Sequence, residues 1–126
     1  MLADKTASAV LAVKDMEKAK QFYGETLGLP QAGDETPGGV MYKSGSSVIF
    51  VYQSEFAGTN KATAVGWGVG SDIEKVVEGL KAKGVVFEHY DIPQAKLEGD
   101  IHVMGEMKSA WFKDLDGNIL NLVNKM

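Results

Sequence analysis

Few side chains in this sequence are equipped for covalent or metal chemistry. There are two histidines and no cysteine, which removes thiolate nucleophiles, thiolate metal sites and disulfides together. His102 and Glu106 stand four residues apart and share a face of either a strand or a helix. They form a candidate acid–base couple or a pair of metal ligands. His89 sits among Glu88, Tyr90 and Asp91, the composition of a solvated strand end. Gly66, Gly68 and Gly70 imitate a nucleotide loop, but the third glycine of that fingerprint would have to replace Ser71. All 13 basic residues are lysines, so no guanidinium fork is present to grip a carboxylate or phosphate, and a strongly anionic ligand is disfavoured.

Composition narrows the classes further. A chain of 126 residues with 44% hydrophobic content is expected to form a single domain, residues 1–126, with a real core and space for one cavity. The formal charge is −4 and no block of like charge stands out, which argues against nucleic acid and against a membrane surface. No apolar run approaches the roughly 18 residues of a membrane span, and the first residues lack a basic-then-apolar leader pattern. A cytoplasmic protein is the expectation.

The elements that must position any site are written twice. An apolar run, Ala7 to Val13, precedes Asp15 and a helical pattern, Met16, Ala19, Phe22, Tyr23 and Leu27, closed by Gly28. Gly38 to Lys43 and Ser47 to Tyr52 read as antiparallel strands about the turn Ser44-Gly45-Ser46. The second copy opens with Ala64 to Val69. A capping box, Ser71 to Glu74, then precedes Ile73, Val76, Val77 and Leu80 at helical spacing, with an end near Gly84. Val85 to Ile92, Ser109 to Lys113 and Ile119 to Val123 read as strands, the last two joined by Asp116-Gly117-Asn118. The fold predicted is α+β: two βαβββ modules, residues 6–57 and 62–124. The second has surplus residues from Pro93 to Met107, a lid, a binding loop or an extended hairpin.

Phe22-Tyr23-Gly24-Glu25-Thr26-Leu27-Gly28-Leu29, together with Ala110-Trp111-Phe112-Lys113-Asp114-Leu115-Asp116-Gly117-Asn118-Ile119-Leu120, resembles the vicinal oxygen chelate superfamily of glyoxalases, bleomycin-resistance proteins, fosfomycin-resistance enzymes and extradiol dioxygenases. The resemblance spans essentially the whole chain and implies two modules forming an incomplete barrel with the ligand in its concavity. It also implies a homodimer. Enzymes of that family hold a divalent metal, and carried onto this sequence the ligand positions fall on Ser8, on Ala64 or Val65, on Ile49 or Phe50, and on Asn121. None offers the imidazole or carboxylate that such a metal requires. The implied reading is the metal-free, cofactor-free branch typified by bleomycin-resistance proteins, which bind a small molecule and serve in antibiotic resistance.

The pleat supports a cavity independently. With Ala9, Leu11 and Val13 beneath the first helix, Ser8, Val10 and Ala12 take the opposite face; with Val65, Trp67 and Val69 beneath the second, Ala64, Gly66 and Gly68 do so. In the other phase Trp67 becomes a stacking wall. The expected ligand-binding set is Ser8, Tyr42, Phe50, Tyr52, Trp67, Met104, Trp111 and Asn121, suited to a hydrophobic or aromatic molecule. The alternative is an enzyme of lyase, isomerase or dioxygenase type that uses His102 and Glu106 or a displaced metal site. A relic acting as an interaction module is the third possibility.

Overall fold

The structure is a computed structural model that describes residues 1–125. The chain divides into two compact units, Met1–Gly58 and a second beginning at Thr59, and each is α+β.

In the first unit β1 (Ala9–Val13) leads into α1 (Met16–Lys20), which continues as a π-helix over Gln21–Thr26. Asp15 caps the start: its Oδ1 accepts from the Lys18 amide at 3.2 Å, satisfying one of the orphan N–H groups of the first turn. Gly28, at φ +73°, takes the left-handed conformation beyond the helix end. The predicted span holds, but the widened second half was not foreseen, since a 3.6-residue period does not announce a shift to longer bonds such as Leu27 N–H to Phe22 O at 2.9 Å. β2 (Val40–Ser44) and β3 (Ser47–Gln53) follow as a hairpin. The sheet order is β1-β3-β2, with β1 parallel to β3. The further strand that a βαβββ module calls for, to which the sequence reading assigns no residues in this unit, is represented by a bridge between Gln31 and Tyr42.

The second unit repeats this plan. β4 (Thr63–Gly68) runs parallel to the last strand, β9 (Ile119–Val123), and β8 (Met107–Lys113) pairs antiparallel with β9. Between β4 and the rest lies α2 (Ile73–Ala82). Its expected capping box does not form: Gly70–Asp72 make a 3-10 turn, Asp72 is the N-cap without a side-chain hydrogen bond, and Glu74 reaches Lys108 at 2.6 Å instead.

The surplus residues settle into a hairpin of β6 (Lys96–Glu98) and β7 (Ile101–Met104). That hairpin explains a second departure. Val85 to Ile92 was expected to be one strand, yet β5 covers only Phe87–Glu88. β5 pairs with Phe112 and Trp111 of β8, and two residues further along that edge Ser109 is already taken by His102 of β7. The chain beyond Glu88 is thus displaced from the sheet.

Register sorts the side chains. In the first unit Leu11, Val13, Val40, Tyr42, Ile49 and Val51 share one face and are all buried. Tyr23 of the π-helix packs on Tyr42 with ring centres 6.2 Å apart. In the second unit Trp67, Ala110, Phe112, Leu120 and Leu122 share a face. α2 lies over it, since Glu74 is paired with Lys108, which alternates in phase with Ala110 and Phe112.

Candidate functional site

What the helices leave uncovered is the opposite face of each sheet. In the first unit Val10 and Met41 flank Phe50 in register, and Ala12 lies beside Tyr52. Val10 and Met41 are 59% and 45% exposed, a level at which apolar side chains line a surface rather than a core. The Phe50 and Tyr52 rings stack at 6.2 Å and 8°. Behind Phe50 the backbone passes so close that a Cβ on Gly39 would collide with Val51 O and meet Phe50 Cζ at 2.9 Å. Only glycine fits there, and its backbone buttresses the ring.

In the second unit one row across the sheet reads Gly66, Asn121, Trp111, Glu88, and the next reads Gly68, Val123, Ser109, His102, Leu97. Met104 and Met107 pair at the end of the same face, 43% and 40% exposed. Trp111 donates its indole N–H to Thr63 Oγ1 at 3.2 Å. Its ring meets His102 edge-on at 5.0 Å and Tyr90 edge-on at 5.6 Å, and Tyr90 stacks on His102 at 6.2 Å. His102 is 4% exposed. Its Nε2 takes the Tyr90 backbone N–H at 2.9 Å and lies 3.2 Å from the Tyr90 carbonyl oxygen, so the ring occupies the place a neighbouring strand would have filled.

The expected site residues therefore fall into two sets. Phe50 and Tyr52 lie on the uncovered face of the first unit, and Ser8 lies exposed just before β1. Met104, Trp111 and Asn121 lie on that of the second. Tyr42 and Trp67 are on the helix-covered faces: Tyr42 is buried in register with Ile49, and Trp67 pairs with Leu122. Burial raises the Tyr42 phenol above its ordinary pKa. Asn121 is buried, and its amide donates to the carbonyls of Ala110 at 3.1 Å and Leu122 at 3.3 Å.

The expected pairing of His102 with Glu106 is not formed. His102 is on β7, whereas Glu106 is in the turn after it, exposed, with its carboxylate 3.1 Å from Lys125 Nζ. The turn breaks the alternation that would have put both on one face. The sequence reading passed over Tyr90, taken as part of a solvated strand end, and Asp100. Asp100 receives Lys81 Nζ and His89 Nε2, each at 2.8 Å, and both bonds hold its carboxyl below the ordinary carboxylate range.

The donor set does not fit a divalent metal. Ser8 offers a hydroxyl, Ala64, Val65, Ile49 and Phe50 offer none, and Asn121 is engaged with main chain. Among the described residues no group of three or more His, Cys, Asp or Glu side chains is placed to hold a metal ion. No helix of the described residues is long and apolar enough to cross a membrane.

Among solved structures, the chain resembles the fosfomycin resistance protein FosX from Listeria monocytogenes, with 17% identity, 95% of this chain and 92% of that one covered, and a TM-score of 0.72. A glyoxalase family protein from Enterococcus faecalis is similar at 20% identity, covering 98% and 99% of the two chains with a TM-score of 0.72. A variant of the Listeria FosX complexed with Mn(II) and 1S,2S-dihydroxypropylphosphonic acid aligns at 18% identity over 100% and 93%, also with a TM-score of 0.72. At these identities the likeness is one of fold. No curated protein matches the chain significantly. Residues 5–122 match the profile of the Glyoxalase/Bleomycin resistance protein/Dioxygenase superfamily, and the chain belongs to that family.

Proposed function

We propose that this protein is a metal-free member of its family that binds a small hydrophobic or aromatic molecule, in the manner of a drug-sequestering resistance protein, on the uncovered sheet faces carrying Phe50, Tyr52 and Trp111. The observation that supports this reading most is the stacked, half-exposed ring pair of Phe50 and Tyr52 on a sheet face that also exposes Val10 and Met41. In the second unit, taken by itself, Gly66 and Gly68 leave the uncovered face open beside Asn121 and Val123. Flat apolar ligands suit such faces. Burying about 150 Å² of ligand surface contributes about 4 kcal/mol at about 25 cal/mol per Å², before the loss of ligand freedom, so micromolar to millimolar binding is expected. The donor set described above supports the absence of a metal, and a cytoplasmic homodimer completes the proposal.

The test is fluorescence titration of a Trp67→Phe variant, in which Trp111 is the remaining indole, with a panel of aromatic hydrocarbons, sugars and sugar phosphates. Saturable quenching by the aromatics supports the proposal for the second unit's face, and calorimetric binding of the same compounds that weakens in Phe50→Ala supports it for the first; quenching by sugars or phosphates alone overturns it. Elemental analysis showing about one Zn, Fe or Mn per chain would return the protein to the metalloenzymes, and light scattering at monomer mass would remove the dimer.

A further inference from the structure

We propose that a cleft in the second unit, beside the β6–β7 hairpin, takes a small neutral carbonyl compound whose oxygen accepts hydrogen bonds from His102 Nδ1–H and the Tyr90 hydroxyl. This deepens the proposed function and rests on it, since it names the ligand chemistry for one end of the same uncovered face. The cleft has a volume of about 290 Å³ and is lined by Tyr90, His102, Ile92, Ala95, Leu97 and Asp91, among others. That is near the lower bound of ligand sites and suits a monocyclic compound. Tyr90 and His102, both in its lining, each carry a polar atom, Oη and Nδ1, that is shut off from solvent with no hydrogen-bond partner among the described residues. Unpaired groups of this kind are costly in a folded chain and are kept where something else will pair with them.

Main-chain chemistry decides which way His102 faces. The Tyr90 amide is a donor only, and it points at Nε2 from 2.9 Å. The Tyr90 carbonyl is an acceptor only, and it stands farther off, at 3.2 Å. One ring nitrogen does not serve both, and the shorter bond requires a lone pair on Nε2, which puts the proton of the neutral imidazole on Nδ1. The orphan atom is thus a donor. Tyr90 Oη is also able to donate, so the group that satisfies both is an acceptor without a proton of its own, and a carbonyl oxygen with two lone pairs meets that description.

The surroundings choose a neutral compound over an anion. Asp91 lines the cleft, and His89, also in the lining, is bonded to Asp100, whose other oxygen already holds Lys81. Negative charge on a ligand would meet the Asp91 carboxylate, with no lysine in the lining to offset it. Ile92, Ala95 and Leu97 supply an apolar bed for the rest of the molecule. Entry asks the edge of the hairpin to yield, and β6, three residues long and exposed throughout, is weakly anchored there.

Acetophenone, ethylbenzene and benzoate serve as probes because they share a phenyl ring and differ in the acceptor. Titrated against the full-length Trp67→Phe protein by Trp111 fluorescence, acetophenone should bind about tenfold more tightly than ethylbenzene, the worth of one good hydrogen bond, with benzoate weakest. Tyr90→Phe should erase much of the acetophenone advantage and leave ethylbenzene unchanged. Long-range ¹⁵N–¹H spectra of the histidine rings should show His102 Nδ1 protonated in the free protein, and its resonance should shift with acetophenone alone. Equal binding of acetophenone and ethylbenzene, with a ratio unmoved by Tyr90→Phe, overturns the carbonyl site while leaving the apolar-ligand reading standing. An unprotonated Nδ1 in the free protein overturns it too. Failure of all three probes to bind removes both readings.

Discussion

In the first unit the uncovered sheet face is chemically silent: Val10, Met41, Phe50 and Tyr52 present apolar surface, and the stacked rings are braced by backbone at Gly39. In the second unit the same face holds Trp111, His102 and Tyr90 in mutual ring contact, with two buried hydrogen-bonding atoms that find no partner among the described residues. The topology is shared, a first strand parallel to the last with a helix between. The difference comes from one insertion, the β6–β7 hairpin, which displaces the chain after Glu88 and brings Tyr90 against His102. Duplication supplied two equivalent faces, and a hairpin gave one of them polarity.

The comparison is broken most forcefully by asking whether the helix-covered faces, rather than the bare ones, carry the stability. Phe112, 1% exposed and packed against Phe87 at 5.4 Å, should cost about 3–5 kcal/mol when replaced by alanine, through lost burial and the cavity left behind. Phe50→Ala, on the uncovered face and half-buried, should cost no more than about half as much. Urea denaturation measures both. A Phe50 loss equal to that of Phe112 would mean that the face is core and not binding surface.

A second contrast lies in the turns before the last strands. In the first unit Gly45 turns the chain at φ +57° between Ser44 and Ser46. In the second, the buried Asp114 carboxylate accepts from the amides of Asp116 and Asn118, each at 2.9 Å, and from Asn118 Nδ2 at 2.8 Å. Asp114→Ala should therefore cost about 2–3 kcal/mol, the scale of hydrogen bonds to a charged group, whereas Ser46→Ala should cost little. Thermal melts of the two variants decide this, and similar losses would refute the asymmetry.

How far the sequence told this in advance follows the same division between local and distant causes. Asp15 as a cap, Gly28 as a stop and Ile119–Val123 as a strand are encoded by neighbours in the chain, and the structure has them. The phase of β1 was equally legible, because alternation of Leu11 and Val13 with Val10 and Ala12 leaves one face apolar and buried. β5 failed because its length is set by competition with β7 for one edge of β8, and no property of Val85 to Ile92 records that rival. The capping box failed because Glu74 found Lys108, 34 residues away. Tyr90 was missed for the same reason: its role depends on a ring nitrogen 12 residues further on.

The smallest effect expected concerns the clasp that steadies the hairpin. Asp100 joins Lys81 at the end of α2 to His89 beyond β5; these two bonds hold its carboxyl below the ordinary range, and the bond to Asp100 raises the Lys81 ammonium above its own. A carboxyl depressed in the folded state contributes stability that is present above its unfolded pKa, about 4, and is lost as pH falls through the lower folded value. The wild-type protein should thus lose stability on acidification below about pH 4 more steeply than Asp100→Asn, which has no proton to take up at that position. Near neutral pH the variant should be only slightly less stable, since Lys81 and His89 are both largely open to water and such pairs are weak. Chemical denaturation between pH 3 and 7 checks the assignment: parallel curves for wild type and Asp100→Asn would show that the clasp carries no proton-linked stability, and that the hairpin is held by its strand pairing alone.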